Sequence, residues 1–400
     1  MHRASVKHRA VEPPTIMPAT LPGPTLGVVG GGQLGRMLAE AAAPLGVDVV
    51  VLDPTPDCPA APVARDQLVA DFDDQSAIRD LAERVDYLTF EIELADQDAL
   101  NEVSAETGVP CHPKPATLEL IHDKLHQKQT LADAGIPVPE FRAVETADEL
   151  RDAIDELGAP AMLKARTGGY DGRGNVPVEH RDEAAEAIEA VAGPAMLEAF
   201  VDYEREVSVI AVKGDGEVAT FPVGENVHEA EILRETVVPA GSDEAVLEEA
   251  EAVARDVLEL MEGRGVYGIE LFETRDGEIL VNEIAPRPHN SGHWTIEGAV
   301  TSQFEQHARA VLGWPLGATN LRANTVSKNI LGTGDESREA ELSGIDSVLD
   351  APGASLHWYG KRDVRPLRKM GHVTSVATDG ESTDELLTGT RMLVDDLSFR

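Results

Sequence analysis

Two acidic residues and one amide interrupt apolar segments that predict neighbouring strands. Glu270 lies in GIELFE, and Asn282 and Glu283 lie in LVNEIAP. A carboxylate inside such a strand is costly unless it is paired or bound to a cation. Oxygen ligands from two carboxylates and an amide suit Mg²⁺, which completes its shell with nucleotide phosphates. The spacing predicts a magnesium site, and a salt-bridged sheet edge is the alternative.

A lysine and a glycine-rich loop follow one another in the segment AMLKARTGGYDGRG. Lys164 lies within the predicted strand, where an ammonium group is favoured if an anion lies beside it. The loop contains Gly169 and Gly172, whose backbone freedom suits a flap over phosphates, and Arg173 adds positive charge. We therefore predict phosphate binding here. The alternative is a surface turn after a strand.

Two later segments concentrate hydrogen-bond donors and positive charge. EIAPRPHNSGHWT places Arg287, His289 and Asn290 directly after the predicted metal strand, in a loop stiffened by two prolines. Such donors suit an anionic intermediate or a phosphorylated substrate, and a solvated proline turn is the alternative. HWYGKRDVRPLRKMGH predicts a phosphate or carboxylate site rather than a solvated charge run. Its basic residues are Lys361, Arg362, Arg365, Arg368 and Lys369.

The segment GVVGGGQLGRM matches the glycine pattern of dinucleotide-binding loops. Gly30, Gly32 and Gly35 follow a predicted strand and precede a predicted helix, and Asp53 ends the next strand. A dehydrogenase is the first interpretation of this pattern. Hydride transfer, however, needs neither a paired-acid metal site nor a second glycine flap. We therefore expect this loop to hold a substrate phosphate at the helix N-terminus.

The elements that position these residues fall into three blocks after an N-terminal extension. Residues 1–24 are predicted to be disordered, and residues 25–115 alternate strands and helices as a parallel α/β domain does. The pattern of residues 116–195 predicts one helical stretch, LELIHDKLHQKQTLADAG, followed by a small α+β lobe around the glycine flap. Residues 196–400 predict a larger sheet. It includes a helix from Ser242 to Met261 and a hairpin closed by Arg275, Asp276 and Gly277.

The charge of the chain excludes some partner classes. Asp and Glu number 72 against 34 Lys and Arg, a formal net charge of -38, and the acids are spread along the chain. Such a surface repels nucleic acid and anionic lipid, and it predicts a salt-rich cytoplasm. No apolar stretch approaches the roughly 20 residues of a membrane span. The two cysteines predict no disulfide framework and favour a reducing cytoplasmic location.

From residue 25 to about 375, the chain resembles the 5-(carboxyamino)imidazole ribonucleotide synthases, which are ATP-grasp enzymes of purine biosynthesis. The most specific segments are TGGYDGRG, PRPHNSGHWT and HWYGKRDVRPLRKMGH in this order. The resemblance implies an ATP-grasp fold with an N-terminal Rossmann-like (pre-ATP-grasp) domain, a small ATP-grasp lobe and a larger C-terminal lobe. It also implies a homodimer, with ATP between the two lobes.

By position, the resemblance implies an ATP and metal site. Lys124 and Lys164 would contact phosphates, and Gly169 and Gly172 would belong to the flap. Glu270 and Glu283, with Asn282, would hold Mg²⁺. The remaining residues would line the base and the ribose: Glu198, Phe200 and Val201 at the adenine hinge, Glu206 on the ribose hydroxyls, and His228 near the nucleotide.

The resemblance also implies the other substrates and the reaction. Bicarbonate would attack the γ-phosphate of ATP, and the resulting carboxyphosphate would deliver carbon dioxide to the amine of aminoimidazole ribonucleotide. The bicarbonate-derived group would be surrounded by Tyr170, Asp171, Arg173, Arg287, His289 and Asn290, with Asp171 as the candidate base. The ribonucleotide would be bound by Gly32, Gln33, Leu34, Glu91, Lys361 and Arg368.

Three features depart from the family pattern. Leu94 stands where the family often has asparagine, Leu367 replaces a common glycine, and residues 1–24 have no counterpart. The first two leave local details of the nucleotide pocket open, whereas the core ATP and metal residues match. Another ATP-grasp ligase and a nucleotide sensor without turnover are the competing interpretations. Intact Glu270, Glu283, Lys164 and Lys361 argue against the sensor.

Overall fold

The computed structural model describes residues 19–168, 174–378 and 380–400. In the described ranges the strands form a four-stranded parallel sheet, a four-stranded and a nine-stranded antiparallel sheet, and two short strand pairs. Within these ranges, no helix is both long and apolar enough to cross a membrane. The predicted extension 1–24 falls largely outside the described residues, as does the centre of the glycine flap, residues 169–173.

The first sheet is parallel, as the alternation of strands and helices predicts. Its strand order is β3-β2-β1-β4. Its apolar strands are covered by helices, because a parallel sheet with crossover helices is buried on both faces. The strands are β1 (Thr25–Val29), β2 (Asp48–Leu52), β3 (Asp66–Leu68) and β4 (Tyr87–Phe90), and the helices are α1 (Gln33–Ala42), α2 (Gln75–Ala82) and α3 (Gln97–Thr107).

The stretch predicted as one helix after residue 115 is two helices, so that prediction is wrong. α4 (Pro115–His122) ends at Asp123, and α5 (Lys124–Asp133) begins directly after it. The Asp123 carboxylate accepts hydrogen bonds from the backbone N–H groups of Leu125 and His126, as an N-cap does. Capping by Asp123 therefore outweighs the continuous apolar pattern and starts a new helix at Lys124.

The second sheet is small and antiparallel, with strand order β5-β8-β6-β7. Thr146 and Glu149 form a capping box at the start of its first helix. The domain boundaries predicted near residues 115 and 195 stay predictions. The elements are β5 (Phe141–Val144), α6 (Ala147–Leu157), β6 (Ala161–Ala165), β7 (Asn175–Val178), α7 (Ala184–Val191) and β8 (Ala195–Ala199).

The third sheet has nine strands, in the order β14-β13-β9-β11-β12-β15-β20-β18, with β10 beside β9. The long helix α8 (Glu244–Leu260) confirms the prediction for residues 242–261, and its buried face packs on β9 and β13. The strands are β9 (Tyr203–Lys213), β10 (Val218–Thr220), β11 (Gly224–Glu229), β12 (Ile232–Val238), β13 (Gly265–Thr274), β14 (Ile279–Ala285), β15 (Thr325–Leu331), β18 (Ala354–Trp358) and β20 (Lys369–Val376).

Short elements complete the C-terminal part. The helices α9 (Thr295–Gly298) and α10 (Gln303–Leu312) follow the loop after β14, and α10 packs against α1 of the first domain. The remaining elements are β16 (Arg338–Glu339), β17 (Leu342–Ser343), α11 (Ile345–Asp350), β19 (Asp363–Val364), α12 (Thr383–Asp395) and β21 (Ser398–Phe399). The α1–α10 contact joins the parallel domain to the large sheet.

The predicted hairpin of β13 and β14 is confirmed. Gly277 adopts φ +80° in its turn, a conformation that glycine reaches without a steric penalty. Glu270 and Glu283 are directly opposite each other in the register, and the next pair is Leu271 with Val281. Asn282 is therefore the extra residue of a β-bulge, which re-aims its side chain.

Candidate active site

The hairpin places two carboxylates side by side. Residues directly opposite each other in an antiparallel pair lie on the same face, so Glu270 and Glu283 share one face of β13 and β14. Like charges in such a pair are destabilising unless a cation lies between them. Burial raises the pKa of Glu270 to about 7, because the ionised carboxylate has lost its water. The nearby charges of Glu283 and Glu206 raise this pKa further, and those of His228 and Lys369 oppose the change.

The bulge in β14 brings an amide to the same place. In a regular strand Asn282 and Glu283 would point to opposite faces. Here Asn282 Oδ1 accepts a hydrogen bond from Lys164 Nζ at 3.3 Å, while Glu283 Oε1 lies 3.4 Å from Lys124 Nζ. Lys124 lowers the pKa of Glu283 to about 2 and keeps this carboxylate ionised. The structure therefore brings together five of the residues predicted for the phosphates and the metal: Lys124, Lys164, Glu270, Asn282 and Glu283.

The residues fit a magnesium ion in part. Among the described residues, no group of three or more His, Cys, Asp or Glu side chains is arranged to hold a metal ion by itself. Two carboxylates and one amide form an incomplete oxygen shell. Mg²⁺ commonly binds in this way, through one or two carboxylates and the phosphates of its substrate. The donor set suits a metal that arrives with a nucleotide.

A buried ion-pair network lies beside the predicted phosphate lysines. The Glu198 carboxylate on β8 contacts Lys164 Nζ through one oxygen, at 2.5 Å, and Lys128 Nζ through the other, at 2.9 Å. Burial opposes the charge on Glu198, but the two lysines lower its pKa to about 2. Lys128 is not among the residues predicted from the sequence, although its spacing of four residues from Lys124 is that of neighbours on one helix face.

The predicted ribose residue is held from two sides. Tyr203 donates a hydrogen bond from its hydroxyl group to Glu206 Oε1 at 2.9 Å, and His228 Nδ1 lies 2.8 Å from Oε2. His228 Nε2 lies 4.0 Å from Glu270, so His228 joins the predicted ribose and metal residues. Burial opposes the charged form of His228, but Glu206 and Glu270 outweigh it and raise its pKa.

The predicted adenine hinge lies between β8 and β9. Phe200 is 59% exposed and Val201 is half-buried, so part of their apolar surface is open to solvent. The Tyr203 ring stacks on Phe272, with ring centroids 5.0 Å apart. No contact in the structure tests the adenine assignment, and it stays a prediction.

The loop after β14 is fixed by a buried glutamine. Gln303 accepts a hydrogen bond from the His289 backbone N–H and donates one to the His289 carbonyl. His289 Nε2 lies 3.8 Å from Glu270, and burial lowers the pKa of His289 to about 3, which keeps its ring neutral. Arg287 forms an ion pair with Glu93 at 2.7 Å. Leu94, which follows Glu93 in the chain and departs from the family pattern, is 48% exposed.

Asn290 follows in the same loop. Its Nδ2 is buried and has no hydrogen-bond partner among the described residues. An orphaned donor of this kind carries a desolvation penalty that a bound acceptor would remove. The loop thus presents an arginine, a neutral histidine and an amide beside the acidic pair, an arrangement that suits a small oxyanion.

The N-terminal glycine loop differs from its prediction. The backbone N–H of Gly31 donates to Asp53, and that of Gly32 donates to Glu91 at 2.6 Å. These two amides are therefore not available to a phosphate, and the predicted phosphate grip is wrong for them. Burial raises the pKa of Glu91 to about 7, although the Gly32 hydrogen bond opposes this change. Gln33 and Leu34 follow directly at the start of α1.

The C-terminal basic segment surrounds a stack of imidazole rings. His357 and His372 are opposite each other on β18 and β20, with ring centroids 4.4 Å apart, and His293 stacks on His372 at 4.9 Å. The Tyr359 hydroxyl group is 2.9 Å from His372 Nδ1. This stack joins the loop after β14 to the strands that carry the basic segment.

Two predicted ribonucleotide residues lie in that basic segment. Lys361 Nζ lies 5.6 Å from the centre of the Tyr359 ring and donates to the Lys369 carbonyl at 2.6 Å. Arg368 donates to the Asp363 carbonyl. Leu367, which replaces the expected glycine, adopts φ +61°.

The five predicted site residues of the flap lie outside the described residues. They are Gly169, Tyr170, Asp171, Gly172 and Arg173.

Three family models match successive parts of the chain. The ribonucleotide synthetase preATP-grasp domain matches residues 24–122, and the ATP-grasp domain matches residues 129–304. The phosphoribosylaminoimidazole carboxylase C-terminal domain matches residues 325–386. The first match covers the parallel sheet, the second covers the small sheet and strands β9 to β14 of the large sheet, and the third covers β15, β18 and β20 of the large sheet.

Curated relatives and solved structures agree with these models. An N5-carboxyaminoimidazole ribonucleotide synthase of Brucella melitensis is 43% identical, over 89% of this chain and 97% of that protein. The corresponding protein of Bacillus subtilis is 39% identical, over 88% and 91%. A solved structure of the Aspergillus clavatus synthase, in complex with ADP and 5-aminoimidazole ribonucleotide, is 36% identical over 93% of this chain and 98% of that one, with a TM-score of 0.85.

Proposed function

The chain belongs to the N5-carboxyaminoimidazole ribonucleotide synthase family, and on this premise we propose the reaction that it catalyses. It uses ATP and bicarbonate to carboxylate the amine of 5-aminoimidazole ribonucleotide. The products are N5-carboxyaminoimidazole ribonucleotide, ADP and phosphate, and the step belongs to purine biosynthesis. The fold is an ATP-grasp fold preceded by a pre-ATP-grasp domain.

One observation carries the proposal. The paired carboxylates of Glu270 and Glu283 lie on one sheet face with the bulged Asn282, and Lys124 and Lys164 contact two of these three residues. Carboxylates beside lysines suit the phosphates of a nucleotide together with its divalent ion. A dehydrogenase has no use for this arrangement.

Glu270, Glu283 and Asn282 would hold Mg²⁺, which when bound neutralises charge that develops on the transferred phosphoryl group. Lys124 and Lys164 add positive charge next to this site. Phosphoryl transfer demands positioning and charge neutralisation more than covalent help from the protein. Glu206 and His228, with Phe200 and Val201, would hold the ribose and adenine at the other end of the cleft.

The loop after β14 would position bicarbonate. Arg287 supplies charge, and the buried amide of Asn290 supplies a donor that lacks a partner among the described residues. His289 stays neutral, because burial lowers its pKa to about 3, and it can accept or donate one hydrogen bond without adding charge. A bicarbonate oxygen attacks the γ-phosphorus, the bond to the β-phosphate oxygen breaks, and ADP leaves.

Carboxyphosphate then breaks down to carbon dioxide and phosphate beside the amine. The amine attacks carbon dioxide and loses one proton, for which Asp171 of the flap is the proposed acceptor. Tyr170 and Arg173 are the other flap residues proposed to act on the bicarbonate-derived group, where exclusion of water matters because carboxyphosphate hydrolyses readily. Gln33, Leu34 and Glu91 would bind the aminoimidazole ribonucleotide, with Lys361 and Arg368 on its phosphate.

We also propose that the protein is a cytoplasmic homodimer adapted to concentrated salt. The acidic composition supports the salt adaptation, and the family resemblance supports the dimer. Light scattering in concentrated KCl is expected to give twice the monomer mass. A monomer at micromolar protein concentration would contradict the dimer.

Oxygen-18 transfer tests the chemical step. The protein is incubated with ATP, Mg²⁺, aminoimidazole ribonucleotide and bicarbonate labelled with oxygen-18. One labelled oxygen per released phosphate is expected, because the bridging oxygen of carboxyphosphate comes from bicarbonate. Glu270→Gln should abolish the transfer, and Glu248→Gln, an exposed substitution on α8, should not change it. Release of unlabelled phosphate by the unaltered protein would contradict the proposed intermediate.

A further inference from the structure

Lys128 is a charged residue in an unusual place. Its side chain is 2% exposed, on α5, one turn after Lys124. The chain has nine lysines, so a buried one is a notable use of this residue type. Taking an ammonium group out of water is costly unless it is paired and hydrogen-bonded. Lys128 meets this condition through two contacts on two different sheets.

The first contact is on the small sheet. Lys128 Nζ lies 2.9 Å from one oxygen of the Glu198 carboxylate, whose other oxygen binds Lys164 Nζ. Glu198 is itself 3% exposed. One carboxylate between two ammonium groups leaves a surplus of one positive charge. Because Lys128 is buried and Lys164 reaches Asn282, this surplus is directed towards the predicted phosphate site through Lys164.

The second contact is on the large sheet. Lys128 Nζ donates a hydrogen bond to the Val281 carbonyl at 2.7 Å. Val281 is the last residue of β14 before the bulge that re-aims Asn282 and places Glu283 opposite Glu270. A hydrogen bond at this carbonyl restrains the backbone at the point where the strand departs from regular pairing.

We infer that Lys128 is a positioning residue of the nucleotide site, which sets the distance between Lys164 and the Asn282–Glu283 bulge by binding Glu198 and the Val281 carbonyl together. The inference rests on the proposed function, since it assumes that the cleft binds Mg²⁺ and a nucleotide. Lys128 has too little exposed surface to contact a phosphate itself, so its effect passes through Lys164 and the bulge.

Lys213 offers a matched control. Its Nζ donates to the carbonyls of Leu258 and Met261, at 2.7 and 2.6 Å, and so also joins a strand to backbone carbonyls of another segment. These contacts lie at the end of α8, away from the acidic pair. Lys213→Met removes two hydrogen bonds of a lysine ammonium group, and Lys128→Met removes two contacts of the same kind of group. Only Lys128→Met changes a residue next to the predicted nucleotide site.

The test measures binding of ADP with Mg²⁺ to the full-length protein by calorimetry in concentrated KCl, together with thermal unfolding. Lys128→Met should weaken binding at least tenfold, and Lys213→Met should leave it within twofold of the unaltered protein. Both variants should lower the unfolding temperature. A repeat with ADP and no Mg²⁺ should show a smaller difference for Lys128→Met, because the bulge positions the metal ligands.

The outcomes separate this inference from the proposed function. Unchanged ADP affinity in folded Lys128→Met, with only a lower unfolding temperature, would show a purely structural lysine and overturn the inference. If Lys128→Met does not fold, Lys128→Arg takes its place. The longer, planar side chain keeps the charge but changes the spacing, so at least fivefold weaker binding is expected, and unchanged binding overturns the inference. Failure of the unaltered protein to bind ADP would instead contradict the proposed function.

Discussion

Glu91 is a buried carboxyl group that gains or loses its proton near neutral pH. Burial raises its pKa to about 7, and the surrounding charges are Arg287, Asp53 and Glu93. A carboxyl group with a raised pKa is ionised above that value and gains a proton as the pH falls through it. If Glu91 accepts a hydrogen bond from the aminoimidazole ribonucleotide, binding should weaken below pH 7.

The expected result is a rise of about tenfold in the KM for the ribonucleotide between pH 8 and pH 6, because one proton competes with one substrate. Glu91→Gln should have a high KM that changes much less with pH. The ionisation of the substrate itself affects all variants equally, so the difference between profiles reports Glu91. Glu83→Gln, an exposed change after α2, serves as control. Identical profiles for Glu91→Gln and the unaltered protein would argue against this role.

Leu367 has a strained backbone conformation at a position where the family often has glycine. Its φ of +61° lies in the left-handed region, where a side chain costs of order 1–3 kcal/mol. Leu367→Gly should therefore raise the free energy of unfolding by about 0.5–1 kcal/mol, after the larger entropy of glycine in the unfolded chain is deducted. Denaturant unfolding measures it. Leu367→Ala keeps the strain, so equal gains from both changes would contradict the explanation.

For single residues, the sequence predicted which side chains belong to the site better than it predicted the contacts that they make. Glu270, Asn282, Glu283 and Lys164 were singled out because charge is costly inside apolar strands, and the structure brings them together. Lys128 was missed, because α5 has no clear apolar face that would have marked it as buried. The occupied amides of Gly31 and Gly32 also could not be predicted, since their acceptors come from distant segments.

The junction of α4 and α5 is the element that sets the position of Lys124. Asp123 caps α5 and also forms an ion pair with Arg166, the second residue after Lys164. Asp123→Ala should lower the free energy of unfolding by about 1 kcal/mol through loss of the cap. It should also raise the KM for ATP severalfold, because Lys124 is the first residue of the helix.

Asp74→Ala is the matched control, because Asp74 caps α2 with the same pair of backbone contacts and lies far along the chain from the cleft. It should cost similar stability without changing the KM for ATP. Equal KM values for the two variants would show that the cap acts on stability alone. Denaturant unfolding and initial rates on the same preparations measure both quantities.

Regular elements followed from the sequence where the pattern was local. The hairpin of β13 and β14 was predicted from two strand-like segments joined by a short turn with Gly277, and α8 was predicted as a long helix over residues 242–261. The break at Asp123 was missed, because one capping carboxylate opposed a continuous helical pattern. The bulge at Asn282 was missed as well, since pairing register depends on the partner strand.

The whole molecule carries a net charge of -38. Repulsion among exposed acids opposes the compact state, and salt screens it, since the Debye length falls from about 10 Å at 0.1 M to about 3 Å at 1 M. The unfolding temperature should therefore rise by about 5 °C or more between 0.2 and 2 M KCl. Circular dichroism measures it, and an unchanged or lower temperature in 2 M KCl would contradict the salt adaptation.

In the proposed reaction, ATP cleavage is coupled to carboxylation of aminoimidazole ribonucleotide. The most direct measurement is ADP release in concentrated KCl with Mg²⁺ and bicarbonate, with and without the ribonucleotide. We predict that ADP forms at a substantial rate only when the ribonucleotide is present, one ADP for each ribonucleotide consumed. ADP release at the same rate with and without the ribonucleotide, or no release at all, would rule out this coupling.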